Sequence, residues 1–337
     1  MSSNAENADS VTTPADAQSL RVAIAQIAPV WLDRAATSAK IVGAIAEAGK
    51  QGAGLVVFGE ALLPGYPFWI EHTDGARFDD AMQKTLFAYY CNQAVSIDRG
   101  DLAAVCDAAR TQKMWVALGI VERASDRGGH SLYCALVLID PTGAIRNLHR
   151  KLVPTYEERL VWAPGDGAGL RTMAIGPFTV GALNCWENWM PMARAALSAQ
   201  GENLHLALWP GNRRNTEDIT RFIAREGRSY TVSASALLRR QDIPDSHPQA
   251  ALLRDRLPEV CADGGSAIAG PDGQWIIAPM SGEQVACADL DLQHVFGERQ
   301  NFDPSGHYAR PDVLALRLDR RRLTALIDDE DGPMPTH

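Results

Sequence analysis

The sequence predicts an α/β sandwich with mixed sheets. Short apolar runs alternate with stretches of helical periodicity along most of the 337 residues. Two of these runs double back through PTG and PDG turns and read as hairpins. No solenoid-period repeat and no Pro/Ser-rich linker interrupts the chain after residue 18, so one large domain is expected.

Taken in order, LRVAIAQIA (20–28) reads as the first strand. AATSAKIVGAIAEAGKQGAG (35–54) follows, with Ile41, Ile45 and Ala48 at helical spacing and glycines to stop it. GLVVFGE (54–60) is a second strand, rich in β-branched residues. DLAAVCDAARTQK (101–113) predicts a helix and MWVALGIVE (114–122) a strand. SLYCALVLIDPTGAIRNLHRKL predicts strand, turn and strand, beginning with 131–140. FTVGALNC (178–185) and LHLALWP (204–210) read as strands. Helices are expected at PMARAALSAQG (191–201), with Pro191 at a first position and Gly201 as the stop, and at TEDITRFIAREGRSY (216–230). SAIAGPDGQWIIAPM repeats the hairpin design.

A composition of 46% hydrophobic and 22% charged residues is that of a globular protein. Lys and Arg total 32 against 41 Asp and Glu, a net charge of −9. An acidic surface repels phosphate backbones, so no nucleic-acid partner is expected. The six cysteines form no CxxC and no cysteine–histidine cluster, so neither a zinc site nor a disulfide framework is expected. Residues 1–18 (MSSNAENADSVTTPADAQ) are polar and small and predict a disordered tail rather than a signal. No run approaches the roughly 18 apolar residues of a membrane helix, so a cytoplasmic protein without a membrane partner is expected.

Three polar residues stand at the ends of predicted strands. Glu60 closes Leu-Val-Val-Phe-Gly, Lys151 ends NLHRK, and Cys185 ends TVGALN before a predicted helix. The carboxyl ends of strands are where α/β folds build pockets, and a helix N-terminus beside Cys185 would favour its thiolate. Each residue also has a bland reading. A lone apolar-flanked cysteine is more often a small core residue, and a single Glu or Lys is usually at the surface. The coincidence weighs against blandness: a carboxylate takes the thiol proton, the thiolate attacks, and an ammonium stabilises the charge that develops. GDGAGL (165–170) does not match GxGxxG, and the arginines at 213, 214, 221, 225 and 228 are balanced by acids at helical spacing. None of the eight histidines nominates itself as the partner of a papain-like cysteine.

FGEALLPGYPFW, HRKLVPTYEERLVWAPGDG and NCWENWMP resemble the three signature blocks of the nitrilase superfamily, and Trp186-Glu187 after the cysteine is similar to its true nitrilase branch. NFDPSGHYARPDVLAL (301–316) resembles the C-terminal block of bacterial nitrilases. The likeness runs from about residue 20 to about 318. The resemblance implies a four-layer α-β-β-α sandwich over 19–318 that pairs into a homodimer or larger homo-oligomer, followed by a short tail at 319–337. Since only 317–337 follow the last block, assembly into long spirals is not expected. It also implies Glu60 as general base, Lys151 as stabiliser of the tetrahedral intermediate, Cys185 as nucleophile and Glu158 as an assisting carboxylate, with no metal and no cofactor. The implied activity is hydrolysis of an organic nitrile to acid and ammonia. An amide or N-carbamoyl hydrolase, or a cyanide hydratase or dihydratase, would use the same residues, and a non-catalytic scaffold with a buried Cys185 is the reading from another class. Tyr66, Trp162, Trp186 and Trp189 are expected to contact substrate, and Phe68 and Trp69 stand near the same motifs; such aromatics also pack cores.

Overall fold

The computed structural model describes residues 18–324. The expected N-terminal tail therefore lies outside the described residues, apart from residue 18, as does 325–337 of the expected C-terminal tail. Strands β1 (Ser19–Gln26), β2 (Leu55–Phe58), β3 (Trp115–Arg123), β4 (Leu132–Ile139) and β5 (Ile145–Arg150) build one sheet. β6 (Met173–Ile175), β7 (Phe178–Asn184), β8 (Leu204–Trp209) and β9 (Tyr230–Ser235) begin a second. β10 (Leu237–Arg239) and β11 (Val260–Asp263) pair on their own. β12 (Ala267–Ala269) and β13 (Trp275–Ile277) complete the second sheet, and β14 (Gln284–Asp291) returns to the first. The orders are β14-β1-β2-β3-β4-β5 and β13-β12-β9-β8-β7-β6.

Both sheets have a parallel centre, β1-β2-β3 and β7-β8-β9, with antiparallel flanks. Parallel strands must be covered on both faces, which is why β2 and β3 read as nearly unbroken apolar runs; all four residues of β2 are buried. Between the sheets, Val22, Ile24, Leu55 and Val57 meet Val180, Leu206 and Val232. The outer face of the first sheet is covered by the helices Arg34–Lys50 and Ala103–Gln112 through Ile41, Ile45, Val105 and Ala109. The outer face of the second packs on Pro191–Ser198 and Arg213–Gly227 through Leu197, Ile219 and Ile223. The result is the four-layer α-β-β-α sandwich.

Two helix boundaries and one unforeseen strand stand out against expectation. The helix expected at 216–230 starts at Arg213 and ends at Gly227, because Tyr230 pairs with Leu204 as the first residue of β9. The helix expected at 191–201 ends at Ser198. Strand β14 has no clear sequence signal, yet it pairs with β1 along its whole length, Ser19 opposite Asp291 through Gln26 opposite Gln284. Residues 319–324 stay on the domain: Arg322 and the Leu323 N–H bind the Asp166 carboxylate at 2.9 and 3.0 Å. Among the described residues, no helix is long and apolar enough to cross a membrane.

Candidate active site

The topology delivers Glu60, Lys151 and Cys185 to one place. Glu60 follows β2, Lys151 follows β5, and Cys185 follows β7. The Glu60 N–H donates to the Trp209 carbonyl at 3.0 Å, tying the end of β2 in one sheet to the end of β8 in the other. The Lys151 N–H donates to the Cys134 carbonyl on β4 at 2.8 Å. The chain passes so closely that a Cβ on Gly119 would lie 2.2 Å from the Gly59 oxygen and 2.6 Å from the Glu60 Cα, so only glycine fits there. Cys185 sits at φ +47°, the left-handed region, in the turn where β7 ends. A 3₁₀ turn, Cys185–Trp189, follows it, and the helix begins only at Pro191. The expected helix N-terminus directly behind the sulfur is thus a 3₁₀ turn.

The buried groups form one hydrogen-bonded cluster. Lys151 Nζ donates to Glu60 Oε1 at 2.8 Å and to Glu158 Oε2 at 2.7 Å. Glu158 Oε2 also accepts the Thr155 N–H at 2.6 Å, and its Oε1 accepts the Tyr66 hydroxyl at 2.8 Å. The Cys134 thiol donates to Glu60 Oε1 at 3.0 Å, while Glu60 Oε2 is buried with no protein partner among the described residues. One oxygen of each carboxylate and the Cys185 sulfur lie within 4.8 Å of one another. That spacing would suit a metal ion, but the Lys151 ammonium already bridges the two carboxylates and is the cation of the site.

Burial raises the Glu60 carboxyl to about 7; Lys151 opposes this and Glu158 adds to it. Burial also works against charge on Lys151, but Cys185, Glu60 and Glu158 outweigh it and hold the ammonium well above its ordinary value. The Cys185 thiol is pushed well up, by burial first and Glu60 next, with Lys151 and the Trp186 N–H pulling the other way. At rest the pair is therefore a protonated thiol beside a carboxylate that titrates near neutrality, rather than a thiolate preformed by a helix end.

A cavity of about 400 Å³ opens over Cys185, lined by Tyr66, Phe68, Glu158, Trp186, Trp209 and Val260 among others. Two of the four expected aromatic contacts, Tyr66 and Trp186, lie on its wall. Trp162 does not. It is buried behind the site, 5.4 Å and edge-on from Tyr66 and with its ring centre 5.8 Å from Lys151 Nζ, where it supports the ammonium. Trp189 does not line the cavity either; it packs on Trp186 at 5.9 Å and is exposed. Trp69 is a core residue against Trp31 and Tyr90. Sequence reasoning missed Cys134. Its signal is the hairpin register, which pairs Ala135 with Arg150 and so sets Cys134 beside Lys151.

Comparison with known proteins gives a consistent set. The model of the carbon-nitrogen hydrolase family matches residues 21–296. The chain is 36% identical over 310 residues to an aliphatic nitrilase of Sinorhizobium fredii, covering 91% of this chain and 98% of that protein. It is 33% identical to an aliphatic nitrilase of Rhodococcus rhodochrous (90% and 84% covered) and 33% identical to an arylacetonitrilase of Macrophomina phaseolina (94% and 96%). Among solved structures, a carbon-nitrogen hydrolase from Helicobacter pylori superposes with a TM-score of 0.64 at 17% identity, over 87% of this chain and 96% of that one. An amidase from Nesterenkonia sp. gives 0.62 at 18% identity, over 84% and 97%. At such identities these two speak for the fold.

Proposed function

The chain belongs to the carbon-nitrogen hydrolase family, and from that premise we propose that it is a nitrilase, converting an organic nitrile and two waters to a carboxylic acid and ammonia. The observation that carries the proposal is the cluster itself: a buried thiol within 4.8 Å of two carboxylate oxygens, with one ammonium shared between the carboxylates. The relatives called nitrilases, similar over nearly their whole length, support the nitrile as substrate.

In this reading the Cys185 sulfur attacks the nitrile carbon as its proton passes to Glu60, and that proton goes on to the nitrogen, giving a thioimidate. Water adds to the C=N bond, with Glu60 accepting its proton and returning it to nitrogen. The tetrahedral carbon then carries OH, NH₂ and sulfur, and Lys151 stabilises the oxygen as charge develops there. The hydroxyl proton passes through Glu60 to the nitrogen, the C–N bond breaks, and ammonia leaves behind a thioester. A second water, again deprotonated by Glu60, breaks the C–S bond, and the proton returns to Cys185. Ammonia release from a panel of nitriles, beside the matching amides, tests the assignment; turnover of amides alone would overturn it.

A base titrating at about 7 sets a pH dependence. As pH falls through that value Glu60 gains a proton and loses its ability to accept one, so kcat/KM is expected to fall on the acid side with a midpoint near 7. Cys134→Ala removes a donor that favours the charged carboxylate and should move the midpoint upward. A flat profile down to pH 5 would remove Glu60 from the role.

Glu158 governs the product. The tetrahedral intermediate expels ammonia, giving acid, or the thiol, giving amide. Ammonia leaves only from a protonated nitrogen, whose charge a nearby carboxylate stabilises and Lys151 opposes. Glu158→Gln should therefore lower the rate and raise the fraction of amide. An unchanged acid-to-amide ratio at full rate would return Glu158 to a purely structural part.

The catalytic domain spans 19–318 in this proposal, acting as a homodimer or larger assembly. Met192 and Phe222 are exposed apolar side chains on the helices that cover the second sheet, and Trp189 is exposed just before the first of them, fitting such a contact. Six unpaired cysteines fit a reducing, cytoplasmic setting.

A further inference from the structure

One buried carboxylate beside the cluster has no part in the reaction just described. Glu187, two residues after Cys185, is 1% exposed. Its Oε2 accepts the Asn184 N–H at 2.9 Å, and its Oε1 accepts the Leu152 N–H at 2.8 Å. His149 Nε2 lies 3.0 and 3.1 Å from the two oxygens, so the ring carries its hydrogen there and donates to the carboxylate. Asn184 immediately precedes Cys185, Leu152 immediately follows Lys151, and His149 is on β5, two residues before Lys151.

β5 is the edge strand of the first sheet and β7 belongs to the second, so no ladder connects them. We propose that Glu187 is a positioning residue, a clamp that holds the peptide beside Cys185 and the peptide beside Lys151 on one carboxylate and so fixes the separation of sulfur and ammonium. A turn cap is the simpler reading, since the bond to Asn184 closes the 3₁₀ turn. A cap uses one oxygen. Here the second oxygen reaches across to the other sheet, and the histidine of that strand supplies a further donor, which together satisfy a carboxylate too buried to be tolerated unpaired. The clamp also supports the backbone around Cys185, which sits at positive φ.

Glutamine cannot reproduce this. It has one acceptor oxygen, and whichever way the amide is turned, its NH₂ meets a backbone N–H, of Leu152 or of Asn184. Glu187→Gln thus releases one tether at nearly constant volume. A shift of about an ångström between reacting groups costs up to roughly 100-fold in rate. The variant should therefore lose about 10- to 100-fold in kcat with KM within about threefold.

A structural role alone would not move the reactivity of the thiol, which supplies the deciding readout. The proposal rests on Cys185 and Lys151 being nucleophile and stabiliser. Alkylation of the peptide bearing Cys185 by iodoacetamide is followed by mass spectrometry across pH, in parent and variant, beside turnover. With Lys151 less firmly held near the sulfur, the alkylation midpoint should rise in Glu187→Gln. An unchanged midpoint with unchanged kcat per folded molecule overturns the clamp. If alkylating Cys185 in the parent leaves turnover intact, the reading of the site fails instead, and the two failures are distinct. Should Glu187→Gln fail to fold, Glu187→Asp replaces it: one methylene shorter, it keeps the charge but not both tethers at once. A raised midpoint in that variant supports the clamp, and parental kcat with a parental midpoint overturns it.

Discussion

Cys185→Ala is expected to abolish nitrile turnover, by about 10⁶-fold, while the protein folds as before. The two halves of that expectation have separate causes. The side chain is small and packs with Ala207, Trp209, Ile219 and Ile223, so removing the sulfur leaves a minor void worth about 1 kcal/mol. Alanine also meets the same backbone strain at φ +47° that cysteine already bears. The chemistry has no substitute, because every step of the proposed route passes through a bond to this sulfur. Cys185→Ser should fail nearly as completely: a hydroxyl is far more basic than a thiol, and a carboxylate titrating at about 7 is too weak a base to generate an alkoxide. Ammonia release beside circular dichroism and thermal melting checks both variants. More than a trace of turnover in either, with Cys185 absent, would mean that the nucleophile lies elsewhere.

The site was legible where it lies on strand ends and opaque where it depends on contacts between strands. Glu60 and Cys185 each end an apolar run, which a buried parallel sheet makes visible in a single sequence, and Lys151 ends the second strand of a hairpin marked by its PTG turn. The fold class followed from the same runs and their hairpin turns. Strand β14 did not, since QVACADLD lies at a sheet edge, is only partly buried and takes its meaning from β1 at the far end of the chain. Cys134 and Glu187 act across sheets or hairpins, so their partners are distant in sequence: Cys134 is 74 residues from Glu60 and Glu187 is 35 from Leu152. Glu187 was legible only as part of a family signature. The aromatics divide for a similar reason. Composition near a motif does not say which side of the cavity wall a ring occupies, and Trp162 lies behind the wall while Tyr66 lies on it. The 3₁₀ turn after Cys185 reflects local competition, with the Glu187 carboxylate accepting the Asn184 N–H at 2.9 Å and closing the turn before Pro191 can open a helix.

Lys151→Gln should lower kcat by about 10²–10³-fold, the scale of one lost electrostatic donor, with KM changed much less. The ammonium matters most once charge has developed on the intermediate, so its removal is felt in the chemical step. It has a second consequence, because Lys151 is what allows Glu60 and Glu158 to be buried together. It is the largest influence lowering the Glu60 carboxyl from the value burial would impose. Without it, Glu60 should titrate still higher, and the acid limb of kcat/KM should move above its parental midpoint near 7. Breaking a buried ion pair by removing one partner costs about 3–5 kcal/mol where the remaining charge stays ionised. That cost falls as the carboxyl takes up a proton. A carboxyl whose folded value is raised above its unfolded value near 4.5 binds protons preferentially in the folded state, so stability grows as pH falls from above 7 towards 4.5. The variant's deficit in thermal stability against the parent should therefore be largest on the alkaline side, shrink as pH falls from the variant's raised Glu60 value to about 7, and stay constant below that, where Glu60 is protonated in both proteins. A variant in which only KM rises, with the parental acid limb and a deficit that does not change with pH, would make Lys151 a substrate-binding residue instead.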